Sequence, residues 1–235
     1  VADLAIVATY AALISATSLL IKRIVGQPGT SGGTGSGRIQ LPPATDNKIP
    51  AVYGSAFIGG PITAAMISED QQTMWYVVSL AEVLDTTPGA TNVFGNMYYD
   101  GKLITFDSST SASIANLQTN TDPATYDTKP AGKLFIYKFP NGSSSGVNTG
   151  GLTAWEILSD PAIPTSARWN STYTMTNCTF VIVKILFNPD AGLVSLGTIT
   201  AQLTNTVTKP GDAIYDYMIN TCLLYTSPKP TRRTP

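Results

Sequence analysis

The sequence predicts a mainly β protein, β-rich α+β in class. It divides into a hydrophobic helical segment over residues 1–27, a Gly/Pro-rich linker over 28–48, and a mixed or antiparallel β region over 49–221 closed by a late short helix. Three observations predict it. Between Ile49 and Thr206, aromatic and β-branched runs are broken by Gly, Pro, Asn and Asp, the punctuation of strands. Asp100-Gly101 separates two such runs, and Asp-Gly suits the type I′ turn of a two-residue hairpin. Lys209-Pro210-Gly211-Asp212 carries a helix start: Pro210 fits the first turn and Asp212 favours the positive end of the helix dipole.

From the beginning, Leu4 to Ile21 is an apolar run of roughly eighteen positions, the lower limit for crossing a bilayer. It lies between Asp3 and Lys22-Arg23 and is rich in Ala, with Thr and Ser interspersed. A helix buried in an assembly, a membrane anchor and a signal peptide all remain open. The last is weakened because the positive charges follow the apolar run instead of preceding it. The chain starts at Val1, so an upstream portion is expected. Gly26 to Gly37 reads as a flexible linker. It is not a phosphate loop, because no Gly-Lys-Ser/Thr ends it.

Strands are expected at Ala51–Tyr53, Ile62–Ile67, Met74–Leu80, Val93–Tyr99, Leu103–Phe106, Lys133–Phe139, Tyr173–Phe187 and Thr198–Leu203. The polar stretch Ser108–Lys129 reads as a long loop with one helical turn near Ala112–Leu117. Asn141–Gly151 is a second excursion, and Asn188–Gly192 joins the last two strands. Loops this long are usually functional or ordered by a partner. In the late helix, Ala213, Ile214, Tyr217 and Met218 share one face, with Asp216 and Asn220 opposite.

Composition narrows the function. Only 12 % of the 235 residues are charged and the net charge is −1. That is about half the charged share of an ordinary soluble domain, and it suits a protein covered by neighbours in an assembly, or a secreted one. A nucleic-acid binder would need a basic stripe, and Arg232 and Arg233 do not make one. The chain has no histidine, which removes Ser-His-Asp and Cys-His catalysis, His-ligated zinc and an imidazole pH switch. Cys178 and Cys222 permit at most one disulfide, and Cys178, inside an apolar run, reads as a buried free thiol.

Candidate sites reduce to ordinary roles. Asp212 and Asp216 are spaced as a carboxylate pair, but helix-start electrostatics explain the first and surface exposure the second. Glu82 and Asp85 read as a strand-end turn rather than a cation site. Glu156 and Asp160, around Trp155 and Trp169, have the composition of a carbohydrate site; Trp155 reads more economically as a core or interface anchor. Sequons at Asn141, Asn170 and Asn177 matter only in a eukaryotic secretory route. No catalytic residue, metal ligand or cofactor is expected.

The most distinctive series is Ile49-Pro50-Ala51-Val52-Tyr53-Gly54, then Ile58-Gly59-Gly60-Pro61-Ile62, then the Met74–Glu82 strand. Pro50 belongs at a strand's first residue or edge. Gly54 and Gly59-Gly60 allow positive φ or close backbone approach. Together with Asn96-Met97-Tyr98-Tyr99-Asp100-Gly101 and Lys209–Met218, this order resembles the N-terminal part of the tail-tip proteins of long-tailed bacteriophages, the central hub or host-specificity family. The positions that carry the resemblance are structural: Pro50, Val52, Tyr53, Gly54, Gly59, Gly60, Pro61, Pro210, Asp212 and Asp216. The resemblance covers most of the chain, through short motifs. It implies a non-enzymatic virion protein of the tail tip. Such a hub is a homotrimer that closes the tail tube and contacts distal tail and tape-measure proteins. It also supports host attachment, with a more distal, C-terminal portion reaching the host receptor; no nucleic acid is involved.

The chain departs from the family after Thr221, where an Arg-Tyr-Gly-like turn is expected and Cys222-Leu223-Leu224-Tyr225-Thr226-Ser227 stands instead. That hexapeptide is similar to a translated transposon end from a sequencing library, so residues 222–235 are expected to be non-native or a disordered tail. Two rival readings remain. One is a membrane-anchored β-rich surface or adhesion protein. The other is a hydrolase using Glu156 and Asp160.

Overall fold

Alternation along one strand organises the core. The computed structural model describes residues 49–84, 92–108, 111–118, 126–142 and 150–219. In β3 (Thr73–Glu82), Met74, Tyr76, Val78 and Leu80 enter the main core, while Trp75 and Val77 enter a second cluster on the opposite face. Both faces are covered, so the strand reads as one nearly continuous apolar run.

The fold is mainly β, with two antiparallel sheets. The four-stranded sheet has the order β2-β3-β9-β8, with β2 at Ile62–Ile67, β8 at Leu134–Phe139 and β9 at Cys178–Leu186. The six-stranded sheet has the order β1-β10-β4-β5-β6-β7. Its members are β1 (Ser55–Ile58), β4 (Val93–Tyr99), β5 (Lys102–Phe106), β6 (Ile114–Gln118), β7 (Tyr126–Asp127) and β10 (Ile199–Thr204). The helices are α1 (Ala154–Leu158) and α2 (Pro210–Ile219), with a 3₁₀ turn at Pro189–Ala191.

Two seams join the sheets. At one, β1 passes through Gly59-Gly60-Pro61 into β2, so a single stretch of chain changes sheets. At the other, Ser113 bridges Phe135 and the Ile136 N–H donates to the Ala112 carbonyl at 2.8 Å. The inward faces of both sheets meet between these seams, where Ile58, Met97, Ile104, Leu134, Val183 and Leu203 are buried. The outer face of the smaller sheet is covered by α1 and the chain after it, through Ile157, Leu158 and Ile163 packed near Trp75 and Phe180. Phe139 and Phe180 stack there with centroids 4.5 Å apart.

Several expectations are met. The β4–β5 hairpin turns at Asp100 (φ 49°) and Gly101 (φ 76°), both left-handed as a type I′ turn requires. The late helix begins at Pro210. Cys178 is a buried free thiol.

Others need correction. The first strand is Ser55–Ile58; Ala51 makes only an isolated parallel bridge to Glu82. Ile114–Gln118 is a strand, not a helical turn, and β7 lies in the same stretch read as a loop. β9 starts at Cys178 rather than Tyr173, because Met175 and Asn177 adopt φ 50° and 56°, outside strand geometry. Of the face expected to be buried in α2, only Ala213 packs inward: Asp216 is buried, while Ile214, Tyr217 and Met218 are exposed. Surface exposure therefore does not explain Asp216. The segments 1–27, 28–48 and 222–235 lie outside the described residues, as do Asp85 and Asn220.

Candidate functional site

The corner residues close around the end of β3. The Pro50 carbonyl accepts from the Glu82 N–H at 2.9 Å, and the Pro61 carbonyl accepts from the Ser79 N–H at 3.1 Å. Each proline therefore offers the carbonyl that it still has where it lacks an N–H. Gly54 has φ +70° and is held from both sides, donating to Val207 O at 2.9 Å and accepting from Asn205 N at 2.7 Å. Gly60 is required for another reason. A Cβ there would lie 1.7 Å from the Ser79 carbonyl oxygen, so the two backbones can touch only without a side chain. Val52 is buried in the core, and Gly59, next to Gly60, is buried as well.

The corner also meets α2. The Tyr53 hydroxyl donates to Asp216 Oδ2 at 2.8 Å. Burial pushes the Tyr53 hydroxyl well above its ordinary pKa, and the Asp216 carboxylate adds to the shift. Asp216 is 1 % exposed, and its Oδ1 is buried with no hydrogen-bond partner. Ala51, Tyr53 and Ala213 pack on Leu84 and Val207. The structure thus brings Pro50, Tyr53, Gly54 and Asp216 together, while Asp212 stays in the exposed first turn of α2.

Behind the corner lies a polar network that sequence reading missed. Asn92 Nδ2 donates to Thr179 Oγ1 at 2.8 Å and to Glu82 O at 3.2 Å. Asn205 Nδ2 donates to Asn92 Oδ1 at 3.1 Å, and Asn205 Oδ1 accepts from the Val207 N–H at 2.8 Å. Thr179 Oγ1 donates in turn to Pro140 O at 2.8 Å. Asn92, Thr179 and Asn205 are all buried. The network joins four distant parts of the chain, so no local spacing announces it. The only signal was polar residues at strand ends.

A second feature is a shallow cleft of about 300 Å³ beside α1, lined by Trp75, Tyr137, Glu156, Asp160 and Lys184 among others. It gathers Glu156 and Asp160, but each carboxylate is already engaged. Glu156 accepts from Thr153 N at 2.7 Å and Thr153 Oγ1 at 2.6 Å, completing a capping box. The Thr153 hydroxyl, then its N–H, hold the Glu156 carboxyl below the usual range. A general acid for glycoside cleavage needs the opposite shift. Asp160 pairs with Lys184 at 3.2 Å, and the Lys184 ammonium lies 5.2 Å from the Trp75 ring centroid. Trp155 is 37 % exposed and is not among the cleft-lining side chains, while Trp169 packs against Tyr173 at 5.5 Å. The two tryptophans therefore do not form the sugar platform that their spacing with Glu156 and Asp160 suggests.

The outer face of the larger sheet is the third feature. Phe57 and Val93 are 53 % and 60 % exposed. Phe57 meets Tyr98 edge-on at 5.8 Å. Register places Thr200, Tyr98, Leu103, Gln118 and Tyr126 in one row across five strands. Ser55, Gln202, Thr204 and Thr105 surround it, so this face is apolar and hydroxyl- or amide-bearing without a charge.

Among the described residues, no group of three or more His, Cys, Asp or Glu is placed to hold a metal ion, and no helix is long and apolar enough to cross a membrane. No family model and no curated protein matches the chain.

Proposed function

We propose that this chain is a non-enzymatic structural protein of a phage tail tip, a hub that assembles with copies of itself and with other tail proteins and supports host attachment. The observation that carries the reading is the uncharged outer face of the six-stranded sheet. A free surface normally carries charge for solubility. Here Phe57, Val93, Tyr98, Leu103 and Tyr126 stand among Ser, Thr and Gln side chains, the make-up of a surface meant to be covered by protein. The series of corner and helix motifs adds the resemblance to tail hubs. Burial of that face would hold neighbouring copies or distal tail proteins in register.

Light scattering on the purified chain tests this reading. A homotrimer has three times the 24.8 kDa chain mass. Phe57→Asp with Val93→Asp should return it to monomer with an unchanged circular-dichroism spectrum. A monomer at all concentrations, together with absence of the protein from purified tails, removes the proposal. The rival reading, a membrane-anchored adhesion protein, is favoured by the apolar run Leu4–Ile21 followed by Lys22-Arg23. It requires the full chain to stay with membranes through alkaline carbonate washing.

A further inference from the structure

Helix α2 carries its large apolar side chains where they cannot hold it down. Ile214, Tyr215, Tyr217 and Met218 are 60 %, 64 %, 40 % and 61 % exposed. Among its described side chains only Ala213 joins a buried cluster, on Leu84 and Val207 beside Ala51 and Tyr53. A hydrogen bond from the Tyr53 hydroxyl to Asp216 Oδ2 fastens the helix to the corner. Asp216 also works against that docking. Its Oδ1 is buried with no partner, a desolvation cost that nothing offsets. It stands in the last turn, which has no basic residue, at the end where the helix dipole disfavours an anion. Undocking returns this carboxylate to water.

We propose that α2 is a hinged flap: it leaves the corner as one unit while both sheets stay closed, and the Tyr53–Asp216 bond is its latch. The hinge is Thr208 and Lys209, both exposed. The chain is fixed just before them. Val207 is buried, its N–H donates to Asn205 Oδ1 at 2.8 Å, and its carbonyl accepts from the Gly54 N–H at 2.9 Å. Just after them Pro210 opens the helix. Ten residues are too few for a helix to persist alone in water, so release from the corner unravels α2 as a whole. Opening uncovers Tyr53, Leu84 and Val207. A charge-assisted hydrogen bond and one buried methyl, less the cost of an orphaned oxygen, leave the flap open in about one molecule in a hundred to one in a thousand. The inference goes beyond the tail-tip reading and does not depend on it, because every contact it uses lies within one chain.

Native-state hydrogen exchange on the full chain tests it. The amides of α2 should share one protection, at least about tenfold below that of β3 and β9, which open only with the whole domain. Low urea should speed exchange in β3 and β9 steeply and in α2 hardly at all, since little surface is exposed when the flap opens. Ile185→Val, in the main core, should speed β3 and β9 by roughly two- to tenfold and leave α2 unchanged. Tyr53→Phe should leave the α2 amides nearly unprotected. Exchange of α2 in step with β3, in urea or in Ile185→Val, overturns the proposal, because the helix then opens only when everything does. Protection graded along α2 shows end fraying instead of a flap. Protection that rises with chain concentration shows a contact between copies, and protection unmoved by Tyr53→Phe removes the latch. Each of these results also overturns it.

Discussion

Replacing Gly60 by Ala tests whether the sheet-changing corner is held by backbone contact or only by local turn preference. The added Cβ would sit 1.7 Å from Ser79 O and 2.7 Å from Ser79 C, both backbone atoms of β3. No rotamer change relieves that overlap, so the corner and β3 must separate. Forced overpacking costs roughly 1–3 kcal/mol or more. Separation also removes the Ser79–Pro61 hydrogen bond of 3.1 Å, worth about 1 kcal/mol net. A loss of roughly 3–4 kcal/mol is a large part of the 5–15 kcal/mol typical of a domain, and it corresponds to a fall of about 10 °C in melting temperature. Urea and thermal unfolding of three variants separate the causes. Gly54→Ala meets open space but forces φ +70° on alanine, costing about 1–2 kcal/mol. Gly211→Ala, near the start of α2 with nothing within 4 Å, should be neutral or stabilising by up to about 1 kcal/mol. A Gly60→Ala loss below about 1 kcal/mol, or below that of Gly54→Ala, refutes the close-contact argument.

Three further outcomes follow from the buried polar groups. Tyr53→Phe strips Asp216 of its hydrogen bond and should cost roughly 2–4 kcal/mol, whereas Asp216→Asn keeps an acceptor, removes a buried charge and should cost less; urea midpoints give the order. Asn92→Ala removes three hydrogen bonds of the buried network and should cost about 2–4 kcal/mol in the same assay. Burial pushes the Cys178 thiol up to about 11 from 9.0 and the Tyr76 hydroxyl up to about 12 from 10.0. Both groups are neutral in the native state at pH values where the unfolded chain has ionised. Their contribution is therefore complete below about pH 9 and is lost as pH rises towards 12. In a Cys222→Ser background, stability should decline from pH 9 to 11, and Cys178 should not react with a disulfide reagent at pH 8 until the chain unfolds.

Legibility in the sequence followed how locally each element is specified. β3 and β9 announce themselves because both faces are apolar. The β4–β5 hairpin does so because its turn demands Asp-Gly. β6 is hidden by a bulge. Ile104 and Phe106 of β5 are two residues apart, but their partners Leu117 and Ile114 are three apart. The inward residues of β6 therefore show a helix-like spacing, and the strand imitates a helical turn. β1 is hidden because Phe57, its most conspicuous residue, points out of the core. The site was only half legible. Pro50, Gly54 and Gly60 stand out by residue type, but the hydrogen-bond partner of the buried Asp216 is Tyr53, 163 positions away. Periodicity within α2 pointed to the wrong face because the stripe is real and the fold leaves it outside.

The pairing of β1 with β10 has a consequence for how the chain is made. Ser55 lies opposite Thr204, 149 positions later, and β10 is also the strand that joins β1 to β4. A ribosome must therefore release nearly the whole domain before the larger sheet can close. Until then β1 and β4 present open edges, of the kind that recruit other chains. Such long-range pairing slows folding. The same corner that gives the fold its clearest signature thus makes its early strands wait for its last one.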